Sequence, residues 1–70
     1  MSIAAHNDAI AYFLSFCIEL YKNAHSISGE EASRILGDSG ALEFLAANHE
    51  VIHTQSPQWI LEEIEEYLSA

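Results

Sequence analysis

The feature that most constrains this chain is its first periodic segment, which is apolar around most of a helix circumference. From about residue 7 to residue 24, apolar residues recur at the three- and four-residue spacing of one helix face. That face comprises Ile10, Phe13, Leu14, Cys17, Ile18 and Tyr21. A second apolar row beside it comprises Ala9, Tyr12, Phe16 and Leu20. A helix that is apolar on so many sides requires burial on more than one of them. We therefore expect Tyr12, Phe16 and Leu20 to contact another protein molecule.

The length of the chain leads to the same expectation. Its 70 residues predict a single domain, residues 1–70, and a domain of this size buries only ~60% of the surface that its unfolded chain exposes. One small core supplies on the order of 3–5 kcal/mol, so proteins of this size usually need further stabilisation. Cys17 is the only cysteine, which excludes an internal disulfide and a structural zinc site built on several cysteines. Oligomerisation or docking to a partner remains as the source of the additional stabilisation.

The charge balance restricts the class of partner. Eleven Asp and Glu residues face two basic residues, Lys22 and Arg34, for a formal net charge of −9. Such a surface repels nucleic-acid phosphates and anionic membranes, whereas it attracts basic protein surfaces. The chain begins without the basic region of a signal peptide and has no apolar run of ~18 residues. We expect a cytoplasmic protein.

Helix-end signals divide the first half of the chain. Asn7 or Asp8 is a candidate N-cap for the first helix. Ser28 and Glu31 have the spacing of a capping box, which predicts the start of a second helix. Gly37 is placed to end that helix in the left-handed conformation.

Two more helices are predicted in the second half. Asp38 or Ser39 is a candidate cap for the third, which we expect to end at Asn48. Residues 51–54 fit an extended conformation as readily as a helical one. Ser56-Pro57 combines an N-cap with proline at the first helical position, a strong start signal. The predicted fold is all-α, a compact bundle of four helices, two of them short.

The sequence of residues 49–53, His-Glu-Val-Ile-His, matches the zinc metalloprotease motif. A catalytic zinc needs three protein ligands and one open position, and the only acids after His53 lie beyond the break at Pro57. The motif also follows the predicted helix end at Asn48, so we do not expect His49 and His53 to share a helix face. We expect no metal or cofactor, with His49 and His53 as weak candidates for adventitious metal binding.

The other polar candidates have structural explanations. His53 is placed to hydrogen-bond backbone groups and hold its loop. His6 and His25 are expected to be solvated loop residues. Cys17 is expected to be a small core residue, because no neighbouring basic group would stabilise its thiolate.

The second and third predicted helices superficially match a helix-turn-helix. A DNA-reading second helix would present Arg, Lys, Asn or Gln to the bases. Here that helix offers Leu42, Glu43, Phe44 and Leu45. The DNA-binding interpretation therefore fails.

The last predicted helix carries an acidic side opposite its apolar one. Glu62, Glu63 and Glu66 are the residues that we expect to meet a partner, and none has a Lys or Arg within four positions. A neutral explanation is that the acids keep a small hydrophobic protein soluble. The functional explanation is that they complement a basic patch on another protein.

Four stretches resemble a family of short bacterial proteins catalogued as a domain of unknown function. They are residues 13–19 (FLSFCIE), 27–32 (ISGEEA), 48–55 (NHEVIHTQ) and 60–68 (ILEEIEEYL), of which the His53-Thr54-Gln55 segment is the most specific. In that family the place of His49 is commonly aromatic, which implies that the zinc motif is accidental. Members tend to be encoded beside, or fused to, a domain resembling ADP-ribosyltransferase toxins. The resemblance implies an antitoxin or accessory subunit and transfers no functional residues.

The favoured interpretation is an antitoxin-like accessory protein that binds its own copy or a cognate toxin-like protein, and is not an enzyme. The alternative is a homo-oligomeric structural or regulatory domain without a toxin. A small zinc hydrolase using His49, Glu50 and His53 is the third. A neighbouring reading frame, the mass in solution and the metal content discriminate among them.

Overall fold

Five α-helices make up the computed structural model, which describes the backbone of residues 3–70 and the side chains from Asp8 onward. They are α1 (Ile3–His25), α2 (Gly29–Asp38), α3 (Ala41–Ala47), α4 (His49–Ile52) and α5 (Pro57–Ser69). Residues 3–70 contain no strand, so the all-α prediction is confirmed. The predicted four helices become five because the ambiguous stretch after Asn48 forms the single turn of α4.

The longest helix, α1, sets the length of the molecule. Its 23 residues rise about 34 Å at the usual 1.5 Å per residue, and the molecule measures 38 × 22 × 19 Å. Helices α2, α3 and α5 all pack against α1. The buried core comprises Phe13, Cys17, Tyr21, Ala32, Leu36, Ala41, Leu45, Ile52, Ile60 and Ile64. None of the described helices is both long and apolar enough to cross a membrane.

The start of α1 differs from the prediction. The helix begins at Ile3, so Asn7 and Asp8 lie inside it and neither is its N-cap. The two residues after Ile3 are alanines, which have the highest helix propensity. They allow the helix to extend past the polar residues that resemble a cap.

The end of α1 uses a residue that the sequence did not single out. Ser26 adopts a left-handed φ of 56°, directly after the last helical residue, His25. The amide of Ile27 then donates to the carbonyl oxygen of Lys22 at 3.2 Å. This is the Schellman arrangement, which usually places glycine where Ser26 stands.

The corner between α2 and α3 also corrects a prediction. Gly37 lies inside α2, and the left-handed residue is Gly40, with φ 88°. The amide of Gly40 donates to the carbonyl of Gly37 at 3.3 Å. The N-cap of α3 is Gly40 and not Asp38 or Ser39 as predicted, although the Ser39 hydroxyl accepts the amide hydrogen of Ala41 at 3.2 Å. The assignment of Gly37 as the left-handed cap was therefore wrong by three positions.

The other two helix starts follow the sequence signals. The amide of Glu31 donates to Ser28 Oγ at 3.0 Å, so the predicted cap of α2 is confirmed. The amide of Trp59 donates to Ser56 Oγ at 3.1 Å, and Pro57 is the first residue of α5. Each cap satisfies one of the free N–H groups that every helix start leaves.

Candidate functional site

The second apolar row of α1 is largely uncovered. Tyr12 is 80% exposed and Phe16 is 43% exposed, and Leu20 is half-buried. Residues four apart lie on one side of a helix, so these three side chains form one line, here called the aromatic stripe. The sequence-predicted interface residues on α1 are thus brought together on the surface.

The stripe stays uncovered because the remaining helices are too short to wrap α1. The neighbouring face of α1, with Phe13, Cys17 and Tyr21, is used for the core. The second, third and fifth helices have ten, seven and thirteen residues, so they rise only about 15 Å, 10 Å and 20 Å along a helix of about 34 Å. One side of α1 is buried and the other is not. Large exposed aromatic residues are typical anchors of protein interfaces.

The predicted acidic residues lie on the outer side of α5. Glu62 and Glu66 are exposed and Glu63 is half-buried, whereas Ile60 and Ile64 on the opposite side are fully buried. We call Glu62, Glu63 and Glu66 the acidic face. Its members are like charges at helical spacing, which repel one another by a few tenths of a kcal/mol per pair.

Both basic residues of the chain are engaged away from the acidic face. Lys22 Nζ lies 2.8 Å from Glu19 Oε2, and Arg34 Nη2 lies 3.8 Å from Glu31 Oε2. The acidic face therefore has no Lys or Arg of this chain to neutralise it. Its negative potential is directed at solvent or at a partner.

A fourth glutamate of α5 has a partner that sequence reasoning missed. Glu65 Oε2 lies 2.6 Å from His25 Nε2, and the His25 ring packs on Tyr21 with 4.2 Å between ring centroids. His25 is exposed, yet it is not the solvated loop residue that we expected, because it is the last residue of α1 and contacts α5. No local pattern indicates this contact, since the two residues are 40 positions apart.

The two histidines of the zinc-like motif do share a face. Their rings stack with centroids 4.4 Å apart, so the expectation that they would be separated was wrong. His53 Nδ1 lies 2.7 Å from the carbonyl oxygen of His49. Since a carbonyl oxygen only accepts, Nδ1 carries the proton and donates. The predicted structural role of His53 is thus observed, because its side chain donates a hydrogen bond to a backbone carbonyl of α4.

His49 is held more deeply than His53. Its ring meets Phe13 edge-on, with centroids 5.2 Å apart, and its Nδ1 is buried without a hydrogen-bond partner among the described residues. An open depression of about 350 Å³, lined by Ile10 and residues 46–51, lies beside it. That volume is at the lower limit of typical ligand pockets, ~300–1,000 Å³.

The histidine pair lacks further ligands. Within the part of the chain that the structure describes, no group of three or more His, Cys, Asp or Glu side chains lies close enough to hold a metal ion. A catalytic zinc needs three protein ligands. His49 and His53 therefore supply at most part of a ligand set, and Glu50 is exposed beside them.

The only thiol lies in the core. Cys17 is 0% exposed, and burial raises the pKa of its thiol from 9.0 to about 12. A protonated, inaccessible thiol is a poor nucleophile. The prediction that Cys17 is a small core residue is confirmed.

A test of the histidine pair follows from this geometry. Protein purified without a metal-affinity step is expected to contain no stoichiometric zinc and to show no peptidase activity. His53→Ala is expected to lower the free energy of unfolding by about 0.5–1.5 kcal/mol, the usual contribution of one hydrogen bond, whether or not a chelator is present. Elemental analysis, a peptidase assay and urea unfolding measure these quantities.

The matched control is Glu50→Gln, which alters the exposed centre of the same motif and is expected to change nothing. Stoichiometric zinc together with a peptidase activity lost in Glu50→Gln would contradict the structural interpretation of the motif.

Comparison with known proteins identifies a family for this chain. A family model described as "Protein of unknown function (DUF3791)" matches residues 12–70. The match covers most of the chain, which therefore belongs to this family. Neither the curated proteins nor the solved structures gave a match. The family membership confirms the resemblance to a short domain of unknown function, while the weight placed on the His-Thr-Gln segment and the toxin neighbourhood stay predictions.

Proposed function

We propose that this DUF3791 protein acts in the cytoplasm by binding another protein, as an antitoxin-like accessory subunit and not as an enzyme. The proposal is carried by two uncovered surfaces: the aromatic stripe on α1, where Tyr12 and Phe16 are 80% and 43% exposed, and the acidic face of α5, which no Lys or Arg of the chain neutralises. A domain of this size buries a smaller fraction of its apolar surface than a larger domain does, so each exposed aromatic side chain is a sizeable loss of burial. Two uncovered aromatic rings are typical of a surface that another molecule covers, either a second copy or a different protein.

The acidic surface supports a basic partner. Both basic residues of the chain are paired with Glu19 and Glu31, and the acidic face of α5 has no such pairing. Complementary charge across an interface chiefly raises the association rate and selects among partners. The resemblance described above implies a partner of the ADP-ribosyltransferase-like toxin type. Such a protein would need a basic patch to use the acidic face.

Association kinetics test this proposal. The probe is the purified ADP-ribosyltransferase-like protein encoded by an adjacent reading frame, or the fused domain where one occurs. Replacing Glu62, Glu63 and Glu66 together by Gln is expected to slow association about tenfold at low ionic strength and to flatten its salt dependence, since steering charges act on the association rate. Stopped-flow or surface-binding measurements at several salt concentrations give both quantities.

A matched variant separates the acidic face from net charge. Replacing Glu30, Glu43 and Glu50 by Gln removes the same charge from three exposed positions on other helices. Equal slowing by both triple variants would mean that only the net charge matters. Absence of binding by the wild-type protein would overturn the proposed partner class.

A second candidate function is a homo-oligomeric structural or regulatory domain, and the aromatic stripe supports it as well. The mass in solution with and without the toxin-like protein discriminates between the two. The zinc hydrolase draws no support from the site, because His49 and His53 have no third ligand near them among the described residues.

A further inference from the structure

We infer that the aromatic stripe of α1 is covered by α1 of a second copy, in an antiparallel pair with Phe16 beside the two-fold axis. The inference deepens the proposed function by naming the occupant of one surface. It leaves the acidic face of α5 free for the basic partner. The two surfaces then serve two different partners.

The charge distribution favours a second copy at the stripe. The first helix carries only Asp8, Glu19 and Lys22 as charged residues, and Glu19 is paired with Lys22 at 2.8 Å. The other nine acids all lie after α1. A basic partner would therefore find little negative charge at the stripe. Two identical copies, which repel strongly through their other helices, meet least repulsion where α1 faces α1.

Helix α1 supplies more than half of the area that a stable dimer requires. The described side chains of α1 begin at Asp8, so residues 8–25 form a cylinder about 27 Å long and about 11 Å across, which presents on the order of 470 Å² over half its surface. A standard stable interface takes about 800 Å² from each partner. The α1 surface alone therefore supplies more than half of that area. We expect a dimer that forms at micromolar concentration and dissociates on dilution.

The spacing of the stripe selects the antiparallel arrangement. Tyr12 precedes Phe16 by four residues and Leu20 follows it by four, so an antiparallel pair centred on Phe16 sets Tyr12 of each copy against Leu20 of the other. A parallel pair would instead set Asp8 against Asp8 and Glu19 against Glu19, and would align the two helix dipoles unfavourably. Like charges placed opposite each other destabilise such contacts. A two-fold axis also makes each contact occur twice.

Sedimentation equilibrium of the full chain tests the surface. The apparent mass of the wild-type protein is expected to rise with concentration from 7.8 kDa towards twice that value. Phe16→Ser is expected to raise the dimer dissociation constant about tenfold or more, because each substitution acts twice in a symmetric interface. Val51→Ser is the matched control, since Val51 is a 64% exposed apolar residue on α4, and it is expected to leave the constant unchanged.

Cross-linking tests the direction of the helices. In the antiparallel pair the two copies of Ser15 lie close together, whereas the two copies of Asp8 are separated along the axis by about 24 Å, which is 16 residues of rise. A short bismaleimide is expected to cross-link Ser15→Cys and not Asp8→Cys. The buried Cys17 makes the wild-type chain the unreactive control.

Three results would overturn the inference: a 7.8 kDa species at all concentrations, equal weakening by Phe16→Ser and Val51→Ser, or equal cross-linking at positions 8 and 15. Circular dichroism of each variant checks that the fold survives. If Phe16→Ser unfolds the chain, Tyr12→Ser, at the most exposed position of the stripe, replaces it. The triple Gln variant of the acidic face is expected to dimerise at least as well as the wild type, so failure of partner binding and failure of dimerisation are seen separately.

Discussion

Gly40→Ala is expected to lower the free energy of unfolding by about 2 kcal/mol, a large part of the ~3–5 kcal/mol that a core of this size supplies. Gly40 has φ 88°, where a side chain with a Cβ costs about 1–2 kcal/mol. The new Cβ would also lie 3.1 Å from Tyr67 Oη. Tyr67 would have to shift away, and its ring stacks on Phe44 with centroids 4.8 Å apart. Urea unfolding followed by circular dichroism measures the loss.

Gly37→Ala is the matched control, three residues earlier in the same corner. Gly37 lies inside α2, and a Cβ there would meet Leu42 Cδ1 at 4.0 Å, an ordinary contact. Alanine is favoured over glycine in a helix by about 1 kcal/mol, so this variant is expected to be neutral or more stable. Similar losses at both positions would contradict the left-handed role of Gly40. Adding Tyr67→Phe to Gly40→Ala should restore the part of the loss that comes from the tyrosine hydroxyl.

The two glycines show where sequence reasoning about the fold stops. The starts of α2 and α5 were predicted correctly because Ser28, Ser56 and Pro57 act on amides within three residues of themselves. The end of α2 was predicted incorrectly, because Gly37 and Gly40 can both adopt the left-handed conformation at no steric cost. The choice between them depends on where α3 must turn to pack beside Tyr67, and that residue is 27 positions after Gly40 in the chain.

The end of α1 was also not predictable from local sequence, here because the left-handed residue is not a glycine. Ser26 is left-handed although its residue type gives no such signal. The residue before it, His25, contacts Glu65 of α5 at 2.6 Å. Contacts between distant segments are decided by packing, which no local pattern records.

The candidate surfaces also contain features that the sequence predicts and features that it does not. The exposure of Tyr12 and Phe16 was predictable, because helical periodicity places them off the core face and 70 residues cannot cover both faces of α1. The pairing of Glu65, which removes one of four glutamates from the outer side of α5, was not predictable. Nor was the stacking of His49 on His53, since it depends on the single turn of α4.

Cys17 in the folded protein is expected to react with an alkylating reagent at least about a thousandfold more slowly than in the unfolded chain at pH 8. The thiolate is the reacting form, and burial raises the pKa of Cys17 from 9.0 to about 12. At a pH below both pKa values, a pKa that is about three units higher makes the thiolate fraction about a thousandfold smaller. The 0% exposure of Cys17 adds a barrier of access. Mass spectrometry of timed alkylation, with and without denaturant, measures the ratio.

A rate within tenfold of the denatured value would contradict this expectation and would mean that α1 opens readily from the core. Opening of that kind would expose Phe13 and Tyr21, which flank Cys17 on the buried face. The alkylation rate therefore also reports on how firmly α1 is held. A comparison at low and high protein concentration should show additional protection where α1 pairs with a second copy.

The same pKa shift predicts that stability falls in alkali. The unfolded chain releases the thiol proton near pH 9, whereas the folded chain keeps it until about pH 12. Between these values the unfolded state binds fewer protons, so the free energy of unfolding decreases with rising pH, by up to about 1.4 kcal/mol per unit from this group. Cys17→Ala has no thiol to titrate, and its cavity costs the same at every pH. The difference in unfolding free energy between wild type and Cys17→Ala is therefore expected to be constant below pH 9 and to narrow above it. A constant difference up to pH 11 would show that the thiol ionises in the folded protein as easily as in the unfolded one.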